Sequence, residues 1–238
     1  MLRPMPRPTL LLFDIDGTLI STDGAGRRAI ERAFAACHGS DAACKAFSFG
    51  GMTDRAIARA GLRGLGLEPS EALIDSLLAS YLGFLDAELA ACRKFRVIAG
   101  IEAALTAGGA RKHVALGLGT GNLRVGAQKK LEHAKLWHHF PFGGFADDSE
   151  DRPTLIRRAA ERGAQRLGAP LERCRVVVVG DTPLDVGAAR ANGFEAFAVA
   201  SGGVAFEELA ALRAEHVFRT LADEGALARL LGEEAAAR

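Results

Sequence analysis

The chain has few lysines, few aromatic side chains and almost no net charge. Its 238 residues include six lysines against 24 arginines, and aromatics make up 6%. Thirty Lys and Arg face 29 Asp and Glu, so there is no charge excess to hold a polyanion, and sequence-independent nucleic-acid binding is not expected. No apolar run approaches the roughly 18 residues of a membrane span. The run at 10–13 is also too short for the apolar region of a secretory signal, so a cytoplasmic protein that stays off membranes is expected. Four cysteines (Cys37, Cys44, Cys92 and Cys174) form no CxxC pair and have no histidine at zinc-ligand spacing, so they read as reduced thiols. His138 and His139 are adjacent, and neighbours on a helix point apart, so they read as a loop or helix-end feature rather than a metal pair.

What is abundant is alanine, with 45 residues, and apolar side chains, at 49%. Alanine is the best helix former, so many closely packed helices are implied. The length exceeds the common single domain of about 100–200 residues and falls short of two, which suggests one core domain with a smaller insert.

Short apolar runs alternate with helical stretches. The runs at 9–13, 113–118, 175–179 and 195–199, and a weaker one at 215–218, are continuous rather than alternating. That pattern marks strands covered on both faces, hence a parallel sheet. Helical segments are expected at about 99–107, 122–132, 152–168, 184–191 and 204–213. The fold class is therefore α/β, with a Rossmann-like, doubly wound parallel sheet.

Ligands bind such sheets at the carboxyl ends of the strands. Three runs end in polar or acidic residues there: Asp14 and Asp16, then Thr120, then Asp181 and Asp185. Turn chemistry explains any one of these. Four carboxylates on one edge raise each other's pKa unless a cation sits between them, and an all-oxygen set favours Mg²⁺ completed by a substrate phosphate.

At these residues the sequence resembles the haloacid dehalogenase superfamily, and within it the phosphoglycolate-phosphatase-like members with a helical cap. Asp14-Ile15-Asp16-Gly17-Thr18-Leu19 matches the DxDGTL motif, and Gly180-Asp181-Thr182-Pro183-Leu184-Asp185 matches GDxxxD. Thr120 fits the single hydroxyl residue of the second motif. The third motif departs from the pattern: Asp151-Arg152-Pro153 stands where the family has a lysine, so Arg152 is the candidate cation. The resemblance implies a phosphatase in which Asp14 attacks phosphorus and Asp16 serves as acid and base. Asp16 must then hold a proton near neutral pH, and neighbouring carboxylates are expected to raise its pKa. Mg²⁺ would be held by Asp14, Asp181 and the Asp16 carbonyl, with Asp185 supporting it. Thr120, Gly121, Asn122 and Arg152 would bind the phosphoryl group. Dehalogenases generally lack an acid at the Asp16 position, so dehalogenation is not expected.

Residues 21–96 contain no convincing strand and are expected to form the helical cap, with core at 1–20 and 97–238. Helical spacing covers 27–37 and 70–91, the second opened by Ser70, while 22–26 has hinge glycines and a return linker lies near 96–100. In the loop Gly50-Gly51-Met52-Thr53-Asp54-Arg55, Thr53 or Asp54 can cap a helix at 55–60, and similar family loops suggest that Thr53 and Arg55 face the leaving group. Phosphonate-cleaving relatives need a cap lysine; the position near there is Arg55 and Lys45 is the only nearby alternative, so that activity is not expected. A small phosphorylated metabolite, with 2-phosphoglycolate as an example, is the expected partner. The alternatives are a sugar phosphomutase of the same fold and a non-catalytic protein that binds a phosphate ligand. Oligomeric state is not legible.

Overall fold

The computed structural model describes residues 6–233. Six parallel strands form one sheet: β1 (Thr9–Phe13), β4 (Val114–Gly119), β5 (Gly143–Gly144), β6 (Arg175–Gly180), β7 (Glu195–Val199) and β8 (His216–Phe218). A separate antiparallel ribbon pairs β2 (Ile20–Ser21) with β3 (Arg96–Val97). The sheet order is β5-β4-β1-β6-β7-β8. The chain therefore builds outward from β1 on one side and then returns to build on the other. The strand order reverses at β1, and a crevice opens there at the carboxyl edge.

Helices cover both faces. Leu11 and Phe13 of β1 point into one core with α4 (Ile101–Gly109), α5 (Arg124–His133) and α9 (Ala226–Leu230). Leu10 and Leu12 point into the other, with α6 (Arg152–Leu167), α7 (Pro183–Ala191) and α8 (Phe206–Ala211). All four side chains are fully buried. This is why the strand reads as an unbroken apolar run: its two-residue alternation serves two cores. Each such side chain contributes about 1.5–3 kcal/mol by leaving water.

The helical insert between β2 and β3 holds α1 (Ala25–His38), α2 (Asp54–Gly64) and α3 (Glu71–Ala90). Phe34, Leu62, Ile74, Leu77 and Leu85 form its core, which continues into the main body through Leu123 and Ala146. Ser70 caps α3 by accepting from the Leu73 amide at 3.3 Å.

Three features differ from the sequence reading. The β2–β3 ribbon and β5 are absent from it, because two-residue strands have no periodicity to detect. Helix α2 runs well beyond residue 60, to Gly64. His138 and His139 do not diverge: they lie in a single 3₁₀ turn, not an α-helix, with ring centroids 4.0 Å apart. All four cysteines are free, and among the described residues no helix is long and apolar enough to cross a membrane.

Candidate active site

Five elements, β1, β6, α5, α6 and α7, deliver acidic or basic groups to the carboxyl edge at β1. Asp14 follows β1 directly, and its amide donates to the Val179 carbonyl of β6 at 2.9 Å. The turn that follows depends on Gly17, at φ 83°, where a Cβ would lie 2.3 Å from Asp181 Oδ2. No side chain could occupy that point without displacing the carboxylate. Asp181 follows β6 and accepts from the Thr18 hydroxyl at 2.9 Å. Arg152 enters from the first turn of α6, which Asp151 caps through the Thr154 amide and Pro153 helps to start.

Asp14, Asp181 and Asp185 are buried, and one oxygen of each lies within 4.8 Å of the others. Burial pushes the Asp181 carboxyl up to about 8, with Asp185 and Asp14 adding to it. Burial pushes Asp14 up to about 6, although Arg152 and a hydrogen bond from Thr120 pull the other way. Arg152 supplies a single positive charge against these three carboxylates, and their all-oxygen donor set suits a hard divalent cation. Asp14 and Asp181 fit such an ion.

Asp185 has partners of its own. Its Oδ2 accepts from the Thr182 amide at 3.0 Å and hydroxyl at 2.7 Å, closing a capping box on α7. Its Oδ1 accepts from Arg152 Nε at 3.0 Å. Both Asp185 oxygens are thus engaged within the protein, holding Arg152 and the start of α7, while Asp185 also stands with Asp14 and Asp181 in the cluster that could hold an ion.

Arg152 is 6% exposed and meets three partners. Besides Asp185, its Nη2 lies 3.0 Å from Asp14 Oδ2, and its Nη1 donates to the Gly51 carbonyl at 2.9 Å. The arginine thus joins the carboxylate after β1 to the loop that opens α2.

Asp16 meets a cation and an amide. Its Oδ2 accepts from Lys130 Nζ at 2.6 Å and from Asn122 Nδ2 at 3.0 Å. Lys130 also donates to Asn122 Oδ1 at 2.6 Å and is only 3% exposed. The sequence reading missed this residue. Its signal was a lysine on the buried stripe of α5, beside Gly126, Ala127 and Leu131. Thr120 is fully buried, and its hydroxyl accepts from Asn122 Nδ2 at 2.8 Å. Gly121 is equally constrained, since a Cβ there would meet the Met52 carbonyl at 2.4 Å.

The two residues proposed from the loop do not reach the site. Thr53 Oγ1 accepts from the Ala56 amide at 3.2 Å as the cap of α2, and donates to the Glu150 carbonyl at 3.3 Å. The Arg55 guanidinium is held by Asp75 at 2.8 Å and by Glu71, both on α3. Asp54 is the loop residue that matters instead. Its amide donates to the Gly121 carbonyl, and its Oδ2 accepts from the Leu123 amide, each at 2.7 Å. Burial pushes its carboxyl up to about 6, against the pull of Lys130.

Together these groups surround a cavity of about 420 Å³ between the sheet edge and the helical insert, lined by Asp14, Asp16, Asn122, Lys130, Arg152 and Asp181 among others. A family model for haloacid dehalogenase-like hydrolases matches residues 11–199, which takes in β1, the insert and every group just described. The chain belongs to this family. No curated protein matches it in sequence. Among solved structures it is similar to a hydrolase from Pseudomonas syringae, with a TM-score of 0.71 and 20% identity over 97% of this chain and 100% of the other. A predicted phosphatase from Clostridium acetobutylicum aligns with a TM-score of 0.69 and 19% identity, over 95% and 100% of the two chains. A predicted phosphoglycolate phosphatase from Haemophilus somnus 129pt gives 0.66 and 18%, over 92% and 97%. At such identities the likeness carries the fold alone.

Proposed function

We propose that this protein is a Mg²⁺-dependent phosphatase that hydrolyses a small phosphomonoester through an aspartyl-phosphate on Asp14. The observation that carries the reading is the pairing of Asp14 with Arg152, at 3.0 Å, on the floor of the cavity that Asp16 also lines. The carboxylate oxygen of Asp14 forms a bond to phosphorus as the bond to the leaving oxygen breaks. Arg152 keeps positive charge beside the transferring group and holds Asp14 in place. Asp16 gives a proton to the leaving oxygen, then takes one from the water that attacks phosphorus and frees phosphate. Lys130 and Asn122 fix the Asp16 carboxylate for both steps. Asp14, Asp181 and the Asp16 carbonyl would hold Mg²⁺, which when bound neutralises charge on the phosphoryl oxygens. Thr120, Gly121 and Asn122 form the turn where those oxygens would be received.

Residues 21–96 act in this reading as a lid on a core of 1–20 and 97–238. Both chain crossings meet in the β2–β3 ribbon, and Asp23 and Gly24 take positive φ values of 48° and 79° just beyond it, as a hinge would require. The intact acid pair argues against a non-catalytic binder. The test is phosphate release from p-nitrophenyl phosphate. Release with Mg²⁺, lost with EDTA or in Asp14→Asn, supports the proposal; release that survives both contradicts it.

A further inference from the structure

The insert's share of the cavity wall has a distinct chemistry. Ile30, Phe49, Met52, Ile57 and Tyr81 of the insert line it. Ile30, Ile57 and Tyr81 are 2%, 6% and 1% exposed, so these walls belong to the insert's core and are not a flexible surface. Tyr81 is the chain's single tyrosine, and among the described residues its hydroxyl makes no hydrogen bond, although it borders the cavity. A buried tyrosine usually finds a partner for that group.

Two of the three cations on this side are already committed. Lys130 is bonded to Asp16 and Asn122. Arg27 stacks on Phe49 at 3.9 Å, and its guanidinium donates to Glu31 and to the carbonyls of Cys44 and Phe47. Arg96 borders the cavity from exposed strand β3. Among the described lining cations only the solvent-exposed Arg96 is unbonded, so a carboxylate on the leaving group placed deeper, beside Asp54, would lack a buried cation, at a cost of several kcal/mol. A cationic leaving group would meet Lys130 and Arg27. The volume of about 420 Å³ falls within the roughly 300–1,000 Å³ of pockets that enclose drug-sized ligands.

We infer that the leaving group is an uncharged alcohol with an apolar, ring-sized body, and that the Tyr81 hydroxyl bonds a polar atom on it. This rests on the phosphatase reading and narrows it away from small carboxylate esters such as 2-phosphoglycolate. Phe49 and Met52 offer the ring a face and a polarizable edge, while Ile30 and Ile57 close the sides.

The first test compares kcat/KM for benzyl phosphate, 2-phosphoglycolate and phosphocholine with Mg²⁺ present. Benzyl phosphate should lead by about tenfold or more; a lead by either charged ester overturns the inference. Calorimetry with benzylphosphonate and phosphonoacetate measures the same preference without turnover. Tighter binding of benzylphosphonate, with no ester hydrolysed, would count against the phosphatase reading and leave the chamber's chemistry standing; tighter binding of phosphonoacetate overturns the chamber. Met52→Lys, on a half-buried position, supplies the missing cation and should cut the benzyl-to-glycolate ratio about tenfold. An unchanged ratio contradicts the charge argument. Tyr81→Phe should lower kcat/KM for 3-hydroxybenzyl phosphate relative to benzyl phosphate by about tenfold. Equal effects on the two esters remove Tyr81 from the inference.

Discussion

Arg152 holds three partners that a lysine could not hold together. Its planar fork meets Asp14 and Asp185 on one side and the Gly51 carbonyl on the other. A lysine there keeps the charge but presents a single nitrogen. Arg152→Lys is therefore expected to lower kcat/KM by roughly 10–100-fold, the equivalent of one lost charged hydrogen bond. Steady-state kinetics with p-nitrophenyl phosphate checks this, and wild-type values in the variant would contradict it. Asp14, Asp16 and Asp181 were legible in the sequence because each follows an apolar strand at fixed spacing. Arg152 was legible from Pro153 and the helix that follows. Lys130 was not, because a lysine in a helix normally marks the solvated face. Its burial depends on Asn122, just before α5, and on Asp16, which lies 114 residues away in sequence.

At the scale of elements, the loop into α2 is latched to the main body. Asp54 donates to Gly121 and accepts from Leu123, while Arg59 pairs with Glu150 at 3.0 Å. Asp54→Ala removes the carboxylate that accepts from Leu123, where the insert meets the turn at 120–123, and keeps the backbone amide that donates to Gly121. Because the insert keeps its own core around Phe34 and Leu62, the expected effect is local. Amide exchange over 50–57 should rise by about tenfold or more, an opening cost of roughly 1–3 kcal/mol, while the rates in β1 and β6 stay unchanged. Uniform exchange across the chain would show that the latch carries global stability instead. The sequence did mark Thr53 and Asp54 as helix caps, and Thr53 caps α2. It also pointed Arg55 at substrate. Glu71 and Asp75 capture that side chain, a pairing set by how α2 packs on α3 and by no local pattern.

At the scale of the molecule, the carboxylates couple stability to pH and to metal. Asp181 and Asp14 are raised to about 8 and about 6 from 3.8, so without metal the folded state binds their protons more tightly than the unfolded chain does. That contribution is fully present below about pH 4 and is lost as pH rises through 6 and then 8. A divalent ion replaces those protons and favours the ionised groups. In EDTA, the melting temperature should therefore fall between about pH 5 and pH 8.5, and the rise on adding Mg²⁺ should be larger at the upper end. Scanning fluorimetry across that range checks both trends; a Mg²⁺ effect that shrinks with pH would contradict them.

The doubly wound sheet was readable from its continuous apolar runs, since each main strand is buried on both faces. The β2–β3 ribbon was not, and it is what joins the insert to the core. The balanced net charge likewise concealed how the charge is placed, with three carboxylates concentrated on one buried edge. The central claim is that this edge passes a phosphoryl group through Asp14. The most direct measurement is acid quenching of the enzyme during turnover of p-nitrophenyl phosphate with Mg²⁺, followed by peptide mass spectrometry. The account predicts one added phosphoryl group on the peptide that carries Asp14, accumulating in Asp16→Asn and absent from Asp14→Asn. Phosphate release with no adduct at Asp14, or with one on another residue, would contradict it.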